Sequence, residues 1–388
     1  MTSDDKEAAE DYRRQRQAAS RVIGYKPMTT DEQIKWMDEN KDTLLRLIRG
    51  AGPHREDEEH ILETYRQTLM ATSAGSEFDD VNVRMTIERV IREIEEVCVE
   101  HGLPTHAGVV YGSDAMLGLG IGQRPVLETE ASIVEVSVHF LSFCNGIARL
   151  LARTIPYCQD DGNVVQVRRD IAALRGILGR NRDLVLDWSE ALASFAATGV
   201  QPQTPVIPLN EAQSTIRGIL LRAIELFAIG HEYGHHSLRH GRVTTTEDSA
   251  TDAFQDEDAA DLFGRGCSMA IGIREDEQNF YAVSGAGGVL ILGSLDLIRR
   301  VRAVLETGQD DPPPRSHHPP YPDRVANLGL LDAKLPEGDR QRAADFRRFI
   351  VDALDGVWEF VRPIILEYHN SGIRPTQDPT ASAGWLPS

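Results

Sequence analysis

The residues of this chain best suited to chemistry are His231, Glu232 and His235, in the run His231-Glu232-Tyr233-Gly234-His235. Histidines four positions apart on a helix stand one turn apart, about 6 Å along the axis, on one face. Two imidazoles so placed can share one Zn²⁺ with bonds of about 2.0–2.1 Å. The acid that follows the first histidine then points at a water in the open coordination position, and not at the metal. A catalytic zinc keeps that position for water and brings the water's pKa down towards about 7. In this arrangement Glu232 is the general base, taking the water's proton and later passing it to a leaving amine.

A third ligand is expected downstream. Glu257-Asp258-Ala259-Ala260-Asp261 forms an E-x-x-A-D on a helix predicted over Ser249 to Ala270. Glu257 and Asp261 share one face of it. Glu257 completes a three-ligand site of the gluzincin type, and Asp261 can accept the free N–H of a ligand histidine and fix its tautomer. Ala260 and Gly264 are small and let this helix approach the first closely. A solvated acidic face is the competing reading, because Asp256, Glu257, Asp258 and Asp261 cluster. A third segment, His318-Pro319-Pro320-Tyr321-Pro322-Asp323-Arg324, precedes the apolar Val325 and Leu328.

In this order, H-E-x-x-H, E-x-x-A-D and H-P-x-x-x-x-R resemble the zinc metallopeptidase family of CAAX-prenyl proteases and HtpX. The resemblance covers about Ile216 to Leu328, under a third of the chain. It implies a zincin-like core with His231, His235 and Glu257 as zinc ligands, Glu232 as base and Asp261 as the acid behind the ligands. It further implies that His318 and Arg324 belong to the site loop. His318 is then either a donor to the oxyanion or, like Arg324, an anchor of the loop. The chain departs from that family in lacking transmembrane helices, in the short interval from His235 to Glu257, and in reading His317-His318 where Ser or Thr usually precedes the histidine. The short interval and soluble character are also similar to Lit-type phage-exclusion and ImmA/IrrE-type peptidases.

The elements that must position these residues are legible as well. A helix is expected from Asn210, with Gln213 completing a capping box, to a stop at Gly241. Ile216, Leu220, Ile224 and Phe227 mark its buried stripe, and the stripe continues into His231 and His235. His236 falls off the ligand face and reads as exposed. His240 reads as a helix C-cap, where a cation suits the dipole, and Tyr233 as a packing residue. His54, His60, His101 and His106 lack ligand spacing and read as surface or loop. Met85 to Val99 is an amphipathic helix. Ser132 to Phe140 alternates strictly and reads as a half-buried strand, a candidate edge strand for substrate addition. Val109–Tyr111 reads as a short strand, and Val167 to Thr198 reads as helical. The expected fold is α+β and predominantly helical. Its parts are a helical N-terminal region (1–100), a strand and helix region packing on the core (101–205), a metallopeptidase core (206–335), a C-terminal helix (336–369) and a disordered tail (370–388).

Bulk composition narrows the classes of function. A net charge of -19 in 388 residues disfavours nucleic acid, whose phosphates need a basic face, and anionic membrane surfaces. Cys98, Cys144, Cys158 and Cys267 form no C-x-x-C pair and read as reduced, buried small residues. The N-terminus has no signal-peptide pattern. The most apolar run, Ala282 to Leu295, is about 14 residues against the roughly 20 that a membrane span needs. The expectation is a cytoplasmic zinc-dependent metalloendopeptidase acting on a protein or peptide substrate, with no nucleic-acid partner and no transmembrane anchor. The alternative is a catalytically degenerate zincin fold, a sensing or protein-interaction module with structural zinc.

Overall fold

The computed structural model describes residues 2–19, 28–49, 58–72, 75–76, 78–114, 118–159, 165–202, 208–242, 250–275, 277–313 and 318–376. The N-terminal part is helical: α1 (Thr2–Ala19), α2 (Thr30–Glu39), α3 (Lys41–Arg49), α4 (Glu58–Ala71) and α5 (Val81–His101). Three strands follow, β1 (Val109–Asp114), β2 (Ile121–Pro125) and β3 (Ser132–Ser137), then α6 (Val138–Thr154) and the short pair β4 (Tyr157–Gln159) and β5 (Val165–Val167). The remainder is α7 (Ile171–Arg180), α8 (Arg182–Thr198), α9 (Glu211–Ser237), α10 (Ala250–Arg274), α11 (Phe280–Ser284), α12 (Ala286–Thr307), α13 (Tyr321–Leu328), a 3₁₀ turn (Gly329–Lys334) and α14 (Glu337–Asn370). The architecture is α+β and predominantly helical.

Helix α9 lies at the centre and packs on α5, α6, α10 and α12. Its capping box forms as the sequence predicts: Asn210 accepts from the Gln213 N–H and Gln213 accepts from the Asn210 N–H. Ile216, Leu220, Ile224 and Phe227 are buried. They belong to one apolar cluster that runs from Val83 on α5 to Ile365 on α14. Regions that the sequence sets apart thus share a core, and this core fixes the axis of the helix that carries the histidines. The expected tail lies mostly beyond the described residues. No helix among them is long and apolar enough to cross a membrane.

The sheet corrects several readings. Its strand order is β1-β3-β2, with β1 parallel and β2 antiparallel to β3. Ser132 to Phe140 is therefore not an edge strand. Strand β3 ends at Ser137, whose hydroxyl caps α6 by accepting from the Phe140 N–H. It is buried along its whole length, because strands cover both of its edges and α1, α6 and α9 pack against it. The polar member of its alternation, Glu135, is buried beside Arg16 of α1 at 3.3 Å. The antiparallel edge is β2. The span from Val167 to Thr198 is two helices, broken at Asn181, which caps the second. The apolar run from Ala282 also divides, at Gly285, whose φ of 78° ends α11 and opens α12.

Helices α9 and α10 meet backbone to backbone at Gly230 and Gly264. A Cβ on Gly264 would lie 2.8 Å from the His231 backbone nitrogen and 2.9 Å from the Phe227 carbonyl oxygen. Neither atom can move without shifting α9. The small residue at 264 therefore sets the separation of the helices that carry the candidate ligands. Gly264→Ala is expected to cost at least ~1–3 kcal/mol, the usual range for overpacking. Thermal melting of the variant measures it, and a wild-type Tm would show that the close approach is dispensable.

Candidate metal centre

His231 and His235 project from the last two turns of α9, and Glu257 projects from the second turn of α10. Their donor atoms form a small triangle. The two Nε2 atoms are 3.1 Å apart. Glu257 Oε2 is 3.5 Å from His231 Nε2, and Oε1 is 3.4 Å from His235 Nε2. Ligands on a tetrahedral zinc at ~2.0–2.1 Å stand about 3.3 Å from one another. Among the described residues these three are the group of histidine, cysteine and acidic side chains close enough to hold one ion.

The surroundings orient the triangle. His231 is buried and its Nδ1 meets Asp261 Oδ1 at 2.9 Å. The Nδ1–H donates to the carboxylate, so Nε2 is the nitrogen left to face the triangle. Asp261 is itself clamped by Arg324, whose Nε and one Nη reach its two oxygens at 2.7 and 2.6 Å. The same Nη lies 3.5 Å from Glu257 Oε2. Burial would raise the pKa of the Asp261 carboxyl, but Arg324 and His231 outweigh it and hold it below the usual range. Burial likewise opposes ionisation of Glu257, and His231, His235, Arg324 and His318 overcome it. Arg324 is buried too, yet Asp261 and Glu257 hold its pKa above the ordinary value.

The charge around the triangle suits a divalent cation. Glu232, Glu257 and Asp261 are three carboxylates, and Arg324 neutralises one. Glu257 Oε2 is buried and makes no hydrogen bond; Arg324 at 3.5 Å offsets its charge but leaves its lone pairs without a donor, a costly condition that a bound cation would relieve. Burial lowers the basicity of His235, but Glu257 and Glu232 pull it the other way and raise its pKa. The cluster therefore draws positive charge to this point. Two imidazoles and one carboxylate are also a donor set that zinc takes in catalytic sites.

Glu232 lies beside the triangle and outside it. It is buried, and its Oε2 accepts the backbone N–H of Gln123 on β2 at 2.7 Å. His318 stands at the rim, its Nε2 3.7 Å from Glu257 Oε2. The structure thus brings His231, Glu232, His235, Glu257, Asp261, His318 and Arg324 into one place.

Two expectations about neighbouring histidines fail. His236 is fully buried, not exposed. Its Nδ1 accepts from the Ser132 hydroxyl at 2.8 Å, and its Nε2–H donates to the Thr105 carbonyl at 2.9 Å. Burial pushes its pKa down to about 4, so it is a neutral clasp between the end of α9 and the start of β3. His240 is not a cationic cap. It stacks edge-on against His235, and burial beside His235 and His231 brings its pKa to about 4. His106 is tied in as well, its Nε2–H donating to the Ser237 carbonyl at 3.0 Å. His60 and His101 are exposed, and His54 lies outside the described residues. Sequence reading missed the Gln123 N–H, a backbone group with no residue signature. It also missed the partnership of His240, although its spacing of five from His235 was available.

No family model, no curated protein and no solved structure matches the chain. The site's meaning therefore rests on its own geometry. Asp261→Ala is expected to weaken zinc about 10–100-fold, the usual cost of an outer carboxylate. It should also lower Tm, because Arg324 loses both of its close hydrogen bonds and is left buried with the more distant Glu257 beside it. Chelator competition and melting curves read the two effects, and unchanged zinc affinity would remove Asp261 from the orientation of His231.

Proposed function

We infer that the protein is a zinc-dependent metalloendopeptidase that hydrolyses a peptide bond in a protein or peptide substrate. The observation that carries this reading is the placement of Glu232. It sits next to a three-donor triangle, is not part of it, and is fixed by a backbone N–H. A structural zinc site closes all four positions with protein ligands and has no use for such a base. The order of the three motifs, similar to that in CAAX-prenyl proteases and HtpX, supports the same chemistry.

His231, His235 and Glu257 would hold the ion. When bound, zinc supplies Lewis acidity and makes water a stronger acid. Glu232 takes the proton of the attacking water and returns it to the amide nitrogen as the C–N bond breaks. The Gln123 N–H keeps the carboxylate of Glu232 turned in one direction throughout. His318, at the rim, donates to the oxygen of the tetrahedral oxyanion, which carries more charge than the ground-state carbonyl. Arg324 and Asp261 keep His231 in the tautomer that leaves Nε2 unprotonated. An extended substrate would run beside β2, the antiparallel edge nearest α9, and not beside β3.

Glu232→Gln should keep zinc and lose at least ~10²-fold in rate, because the amide cannot take a proton. Comparing new protein N-termini in cells carrying wild type or Glu232→Gln would identify the substrate and the loss together. Cleavage that persists in the variant would sink the proposal. His318→Ala should lower kcat by on the order of 10²-fold with little change in KM and zinc content, as for loss of an oxyanion donor. An unchanged kcat would leave His318 a loop anchor only.

A further inference from the structure

Of the two histidines in the triangle, His231 has a carboxylate behind it. His235 has a different arrangement, built by the way α9 ends. Leu238 closes the helix, and Arg239 follows with φ 64°. The Arg239 N–H donates to the His236 carbonyl at 3.1 Å, and the His240 N–H donates to the His235 carbonyl at 2.9 Å. This pair of bonds is the Schellman reversal, which folds the second residue after the cap back over the residue three before it. The contact so made is usually apolar. Here it joins two imidazoles.

His240 Nδ1 lies 2.8 Å from His235 Nδ1. On its far side, His240 Nε2 lies 3.3 Å from Asp256 Oδ1 on α10. The hydrogens can be placed from these contacts. His235 Nε2 faces His231 Nε2 and Glu257, so its hydrogen sits on Nδ1. His240 Nδ1 must then accept, which places the His240 hydrogen on Nε2, facing the Asp256 carboxylate. Each donor meets an acceptor along the whole line.

We propose that His240 and Asp256 are positioning residues for His235, holding its ring and tautomer as Asp261 holds those of His231. The proposal rests on reading the triangle as a metal site. The two arms differ in strength. Asp261 is a buried carboxylate accepting directly from its histidine, whereas His235 donates to a neutral ring, and charge-assisted bonds are about twice as strong as neutral ones. The side chain of Asp256 is also 47% exposed, so water weakens the outer end of the line. Loss of His240 should therefore cost less than loss of Asp261.

The test uses the full chain and two probes, Zn²⁺ in competition with a chromophoric chelator and Co²⁺ followed by its visible absorption. Wild type is compared with His240→Ala, His240→Asn and Arg239→Gly. Asparagine puts an amide oxygen where Nδ1 stands, so it restores the acceptor for His235 while giving up Asp256. Glycine keeps the reversal and removes the cost of a side chain in the left-handed region. His240→Ala is expected to bind zinc roughly tenfold more weakly, at the low end for outer partners, and to shift the cobalt bands. His240→Asn should recover most of both, and Arg239→Gly should match wild type with an equal or higher Tm. A His240→Ala protein with wild-type affinity and cobalt spectrum overturns the proposal. So does a loss that asparagine fails to rescue and that is matched by a fall in Tm, since the effect then belongs to the fold. Wild type that takes up neither ion at one per chain overturns the metal reading itself, before any variant is compared.

Discussion

Helices α9 and α10 touch where neither has a side chain, at Gly230 and Gly264, and a Cβ on Gly230 would lie 3.1 Å from the Gly264 Cα. Ligands on two helices at the ordinary separation of 8–10 Å would have to reach across a layer of side chains. Contact at glycine brings the carboxylate of Glu257 within 3.5 Å of both imidazoles. It also makes the place expensive. The closer the helices, the less water reaches the three carboxylates and Arg324, and buried charge is tolerated only when paired. The polar arrangement around the triangle answers that constraint.

The pairing is layered outward from the triangle. Asp261 serves His231 on one side and Arg324 on the other, so α13 is tied to the α9–α10 pair through one carboxylate. His240 and Asp256 tie the end of α9 to the start of α10. His236, Ser132 and Thr105 tie α9 to β3 and to the loop before β1. The sheet then reaches back, through the Gln123 N–H, to Glu232. Five elements, α9, α10, α13, β2 and β3, are thereby held in register around one point, while the long apolar stripe of α9 anchors them to the core. Rigid positioning of this kind is what general-base chemistry requires, because a misplacement of about 1 Å can cost on the order of 10²-fold in rate.

What the sequence discloses here is mostly what is local. The spacing of His231 and His235, of Glu257 and Asp261, and of Asn210 and Gln213 are each decided within one or two helical turns, and the residues stand as that spacing demands. The small Gly264 also pointed to close helix packing. Long-range facts were hidden. Alternation in Ser132 to Phe140 suggested a solvated face because Glu135 is polar, yet its partner Arg16 is over a hundred residues away. Gly241 reads as the helix stop and does take a left-handed φ of 70°, but α9 already ends at Ser237, and the left-handed residue of its reversal is Arg239, against its intrinsic preference. That displacement by two residues is what turns His240 inward. His236 read as exposed because its acceptor and donor, Ser132 and Thr105, come from other elements.

As proposed, His231, His235 and Glu257 would hold one zinc ion with a position left open beside Glu232. Zinc K-edge X-ray absorption of the purified protein tests it most directly. The expected result is about one zinc per chain, two imidazoles, and otherwise only oxygen or nitrogen scatterers at about 2.0–2.1 Å. A sulfur shell at about 2.3 Å, a site without imidazole, or a protein that holds no zinc would contradict it.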